Sequence, residues 1–134
     1  MRPENLTASL SKLYVELGVP EKIEEILTAF YLKMSKDVML GFFFTGKDLH
    51  QIVNQQKAFL LRAMGVSDSY HGKVPARAHT KIAPILKGHF DRRMLLLRQT
   101  LTEFGISAEG IATWISFEEG FRRALVKEEG SASR

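Results

Sequence analysis

The sequence predicts an all-α protein, on three observations. Apolar residues recur at three- and four-residue spacings along most of the 134 residues. Each such run is bounded by a glycine, a proline or a capping side chain, and no stretch alternates apolar and polar residues for long enough to demand a strand. Thr7 is the expected N-cap of a first helix, with Leu10, Leu13, Tyr14 and Leu17 on one stripe and Gly18 as its stop. Pro20 suits the first position of a second helix, and Glu21, Glu24 and Glu25 suit its positive N-terminus. Ile23, Leu27, Phe30 and Met34 carry that helix to about Lys36. A short apolar piece then runs from Asp37 through Phe42, Phe43 and Phe44 to a break at Gly46.

Asp48 caps a third helix whose inner face holds Leu49, Ile52, Val53, Gln56, Phe59, Leu60, Ala63 and Met64, and Gly65 ends it. Val66 to Val74 reads as a loop, and Pro75 restarts a short helix through His79 that Pro84 breaks. From His89 the stripe Phe90, Met94, Leu97, Leu101 and Phe104 defines a fourth long helix closed by Gly105. Ser107, with Gly110 where an acid would complete the motif, forms half a capping box. The last helix turns Ile111, Trp114, Ile115, Phe121 and Leu125 inward, and Gly130 to Arg134 form a polar tail.

Composition bounds what such a chain does. Hydrophobic residues at 45% and charged residues at 25% fit one globular core, expected over residues 7–128 with short tails, and not a disordered chain. The absence of cysteine excludes disulfides, thiolate metal sites and a cysteine nucleophile. Val38 to Phe44, the longest apolar run, is far short of the roughly 18 residues that span a membrane. Glu4, Lys12 and Glu16 interrupt any apolar core of a signal sequence, so the expected location is cytoplasmic.

Motifs for nicotinamide, flavin or nucleotide binding are missing, because the 10 glycines form neither a G-x-G-x-x-G fingerprint nor a phosphate loop. The 4 histidines include no H-E-x-x-H pair, and no serine hydrolase signature is present. Lys73, Arg77, Lys81, Lys87, Arg92, Arg93 and Arg98 make the segment from His71 to Arg98 basic, with Asp91 its one acid. That is either a solvated helix face or an anion site; no recognition helix or base-stacking set points to nucleic acid. Gln56 falls in phase with an apolar stripe, and Tyr31 follows Phe30 on the second helix. Either these two polar groups pair with each other or with backbone, or they face something polar in an apolar pocket. His79 is a satisfied histidine or a metal ligand; its position alone does not choose.

These residues stand in an order that resembles the truncated haemoglobins, from about Leu13 to Val126. The resemblance rests on Leu13-Tyr14 to Leu17-Gly18, Phe30-Tyr31, Phe43-Phe44-Thr45-Gly46 with Asp48, and Gln56-Lys57-Ala58-Phe59-Leu60. It continues through Tyr70-His71-Gly72, Ala78-His79 and His89-Phe90-Asp91. The spacing of Tyr31, Phe44, Gln56 and His79 is similar to that of the group 1 branch. This resemblance implies a helical globin fold holding haem b, with His79 as the proximal iron ligand. It places Phe44 flat against the porphyrin and makes Tyr31 and Gln56, with Gln55, the donors to the bound gas. Ile52 takes the position where many globins carry a distal histidine. Phe30, Phe43, Phe59, Leu60, Tyr70, Ile85 and Phe90 are implied to contact the cofactor, and Lys47 and Lys73 to neutralise its propionates.

The implied partners are dioxygen, carbon monoxide and nitric oxide, with no nucleic acid or membrane. Nitric oxide dioxygenation or peroxidase-like chemistry would need an external electron donor. Val19 and Val66 depart from the family's glycine pairs, and Ile82 to Ile85 is a residue longer. Arg93 falls where many members have an apolar residue, so that either Arg92 and Arg93 reach solvent or a propionate lies near. The competing reading is a haem-free helical interaction module with a basic partner-binding face.

Overall fold

The computed structural model describes residues 3–66 and 85–127. The expected loop after Val66 and the short helix ending at His79 lie outside the described residues, as do Tyr70 and Lys73. Helix α1 spans Pro3–Leu17, α2 Pro20–Lys36, α3 Leu49–Ala63, α4 Lys87–Glu103, α5 Ala108–Glu119 and α6 Arg122–Leu125, with a 3-10 turn at Gly41–Phe44. The mostly helical architecture is the one expected. Among the described residues no helix is long and apolar enough to cross a membrane.

Three local expectations needed correction. Helix α1 begins at Pro3, ahead of Thr7. Proline is at home in a first turn because the N–H that it lacks would have no partner there. The last helix is two, broken at Gly120 and Phe121, where Gly120 N–H bonds back to Ser116 and Phe117 carbonyls at 3.2 Å each. A two-residue parallel pairing, Ile85 with Val126 and Leu86 with Lys127, joins the start of α4 to the end of α6. It is too short to leave a period-two pattern.

The caps at the other boundaries follow the sequence. Asp48 accepts from Gln51 N–H at 3.3 Å to start α3, and Ser107 Oγ accepts from Gly110 N–H at 3.0 Å to start α5. Gly105 ends α4 at φ +73°, a left-handed conformation that a side chain would strain. Ser107 Oγ also donates to Glu16 at 2.7 Å, which docks α1 on α5. Gly110 sits at this crossing, where a Cβ would lie 2.7 Å from both Glu16 Oε1 and Ile106 Cγ2.

Helix α2 packs against both α3 and α4, while α1 and α4 pack against α5. Ile23, Ile26, Leu97, Leu101 and Trp114 are almost wholly buried where these helices meet. The end of α2 is tied down by charge. Asp37 Oδ1 accepts from Arg92 Nε at 2.9 Å and Nη2 at 2.7 Å, and Oδ2 accepts from Met39 N–H at 3.0 Å. Hydrogen bonding from Arg92, then from Met39, holds the Asp37 carboxyl below the usual carboxylate range.

A carboxyl whose pKa falls on folding stabilises the fold above its unfolded value and loses that contribution as pH drops through the folded value. Asp37→Asn is therefore expected to lower Tm at pH 7, with the gap from wild type closing below about pH 4. Thermal melts followed by circular dichroism at pH 7, 5 and 3 check this.

Candidate functional site

Helix α2 buries Phe30 in the core and turns the next residue, Tyr31, toward a cavity between α3 and α4. Counting the space open to solvent at its mouth, the cavity measures about 1220 Å³. Tyr31 is held by two rings, edge-on to Phe30 at 5.3 Å and to Phe44 at 5.9 Å. Helix α3 contributes Ile52, Gln55, Gln56 and Phe59 to the wall. Phe43 and Phe44 enter from the 3-10 turn, and Lys47 stands exposed beside them at the rim. On the opposite side stand Ile85, His89, Phe90 and Arg93. Thus Tyr31, Gln55, Gln56, Phe43, Phe44, Lys47, Ile52, Phe59, Ile85 and Phe90 all meet at one cavity. Phe30 and Leu60 are buried in the core behind it and do not line it. His79, Tyr70 and Lys73 fall outside the described residues.

The cavity also holds residues that the sequence reading did not assign to the site. Met34, Leu40, Glu118, Phe121 and Leu125 line it, and His89 does so beside Phe42 and Phe43, with ring centres at 5.6 and 5.1 Å. His89 Nδ1 accepts from Leu86 N–H at 3.0 Å, which closes the first turn of α4 and leaves Nε2 as the protonated nitrogen of the neutral ring. Phe59, Phe117 and Phe121 form a cluster with centres 5.4 to 5.8 Å apart, and the break between α5 and α6 is what brings Phe121 into it.

The two arginines take different courses. Arg92 runs outward to Asp37, whereas Arg93 turns in and pairs with Glu118 from α5. Its guanidinium lies 5.1 Å from the centre of the Phe30 ring. Burial works against the Arg93 charge, but Glu118 and Tyr31 more than offset it, so Arg93 stays protonated. Burial pushes the Tyr31 phenol above its ordinary value; Arg93 opposes that rise and Glu118 reinforces it. The phenol therefore keeps its proton and remains a donor.

Glu118 was legible in principle. It continues the inner stripe Ile111, Trp114 and Ile115 by one turn, just as Arg93 interrupts the stripe Phe90, Met94 and Leu97. Two opposite charges in core phase on adjacent helices call for each other.

An aromatic, mostly apolar cleft with a few converging donors and a charged rim fits a flat apolar cofactor with polar edges. The profile of the bacterial-like globin family matches residues 12–125. The chain belongs to this family, in its truncated haemoglobin branch. A group 1 truncated haemoglobin of Synechocystis is 33% identical over 106 residues, covering 77% of this globin and 86% of that protein. One from Chlamydomonas moewusii is 33% identical over 75% of this chain, which spans only 59% of that longer relative. The crystal structure of the Tetrahymena pyriformis truncated haemoglobin in its Fe(III) form superposes with a TM-score of 0.77 at 27% identity. It covers 85% of this globin and 97% of that chain. The 2/2 haemoglobin of a Synechococcus species, solved with covalently attached haem, gives 0.75 at 26% identity over 91% and 98%. Globins bind haem and, through it, diatomic gases such as oxygen, and this globin shares that function.

Removing one partner of a largely buried ion pair strands the other charge, at a cost of about 3–5 kcal/mol, while removing both is close to neutral. Glu118→Ala is expected to lower stability by about 3 kcal/mol, and R93M/E118M to recover most of the loss. Urea unfolding of the three proteins measures both.

Proposed function

We propose that this globin is a single cytoplasmic unit that holds haem b in the cavity and binds dioxygen reversibly. The observation that carries the reading is the meeting of Tyr31, Gln56 and Phe44 at one apolar cleft, in the order that the family resemblance requires. His79 is the residue we assign to the iron. When bound, haem supplies a metal centre that takes up and releases dioxygen, carbon monoxide or nitric oxide.

The chain's own residues do the rest. Phe43, Phe44, Phe59, Ile85 and Phe90 give the flat ring an apolar bed and exclude water from it, with Phe30 and Leu60 backing that bed from the core. Lys47 at the rim, with Lys73, offers positive charge to the propionates. Tyr31 donates from the floor of the cavity, and Gln56 and Gln55 add amide donors from α3; Ile52 offers none. Dioxygen accepts such hydrogen bonds better than carbon monoxide, so the donors select between the two gases. Turnover of nitric oxide or peroxide would draw on an external electron donor.

Purified protein should take up haem with a Soret band, and His79→Ala should lose it. Tyr31→Phe should release dioxygen about tenfold faster, with carbon monoxide release changing much less, as read by stopped-flow ligand replacement. A protein that takes up no haem would favour the helical interaction module instead. Equal effects on both gases would show that Tyr31 acts by shape.

A further inference from the structure

The geometry points to residues 120–127 as a hinged strap, the wall that moves aside when the flat cofactor enters or leaves the cavity. This role rests on the reading of the cavity as the haem site. The strap belongs to the wall: Phe121 and Leu125 line the cavity, and the Phe121 ring lies 5.7 Å from Phe59 and 5.4 Å from Phe117. It does not belong to the core. Burial along α5 ends at Trp114, and α6 has no buried residue. Swinging the strap outward therefore uncovers the cavity and leaves Leu97, Leu101 and Trp114 packed.

Hinge and fastenings sit where such a motion needs them. Gly120, between α5 and α6, is the residue type whose backbone turns most freely. Beyond it the strap is held at two places. Val126 and Lys127 pair with Leu86 and Ile85 over two residues only, in the register Ile85–Val126 and Leu86–Lys127. Arg122 bonds Asp91 on α4 at 2.8 Å and Glu119 at 2.8 Å, and lies 4.5 Å from the centre of the Phe90 ring. All three charged groups are partly exposed, so water competes for these bonds and each is weak enough to open. The other described walls are fixed more firmly. Helices α2, α3 and α4 would have to pull buried residues out of the core, and the 3-10 turn is anchored by the buried Leu40 before it.

The test locks the strap. Positions 86 and 127 are paired and alternate with Ile85, which lines the cavity, so L86C/K127C places a crosslink on the outer side. Neighbouring strands stand about 4.8 Å apart, within the span of a disulfide, and the chain has no cysteine of its own. Oxidised L86C/K127C should take up carbon-monoxide haem, and pass ferric haem to excess apomyoglobin, at least about tenfold more slowly than its reduced form. The reduced form should resemble wild type. R122Q should speed both steps about fivefold. Slowing in both directions marks a gate, whereas a crosslink that merely stabilised the fold would slow loss alone. Equal rates in the oxidised and reduced forms, or slower loss with unchanged uptake, overturn the proposal.

Amide hydrogen exchange gives a readout that needs no haem. In wild type the amides of residues 121–127 should exchange well before those of α2 and α4, and oxidation of L86C/K127C should protect them. Strap amides that exchange only together with the core also overturn the proposal. The lack of a Soret band in every variant would end the haem reading and the passage of cofactor with it, and exchange would still decide whether the strap opens on its own.

Discussion

The structure turns on helix α2, which packs against α3 on one side and α4 on the other. Its neighbours Phe30 and Tyr31 point about 100° apart around the helix axis. One ring closes the core and the next opens onto the cavity. Any rotation of α2 would exchange these surroundings, leaving a phenol in an apolar core and removing the hydroxyl from the site. Asp37 resists such a rotation by locking the last turn of α2 to Arg92 on α4.

The polar groups of the cavity are unequal in what they cost. Gln55 is exposed, Gln56 is half-buried and Lys47 sits at the rim, so each keeps partial contact with water. Arg93 and Glu118 are charges drawn inward, and such a pair is weak evidence for stability, because apolar side chains of similar size usually serve a core as well. What the pair does provide is a fixed tie between α4 and α5 at the cavity wall. A second cation, Arg122, lies 4.5 Å from the centre of the Phe90 ring and pairs with Asp91 and Glu119. The wall formed by α4 is thus braced by charge on its outer face as well.

Much of the fold was legible because α2 and α3 carry uninterrupted helical stripes, with a proline at the start of α2, a capping aspartate at the start of α3 and Gly65 just past its end. The start of α1 was misjudged because Thr7 is a good cap in isolation, and local preference yields to the turn that Pro3 had already begun. The break after Glu119 left only Gly120 as a signal, and a lone glycine in an apolar helix is ambiguous. In the site, the ten cavity residues that the reading foresaw came from family order, since periodicity alone left Tyr31 and Gln56 free to pair with each other. Glu118 was missed although its stripe could be read, whereas the place of Phe121 in the cavity depends on how α5 stops and where α6 begins, which only the folded chain decides.

The parallel pairing of Ile85 with Val126 has a consequence for the order of events during synthesis. Ile85, Phe121 and Leu125 share the cavity wall, so a nascent polypeptide that has emerged only as far as α4 presents an open trough. Contacts between such distant stretches form slowly. A large flat guest finds a finished berth only once the ribosome has delivered the final turn and its short strand, so cofactor loading belongs to the late life of the molecule.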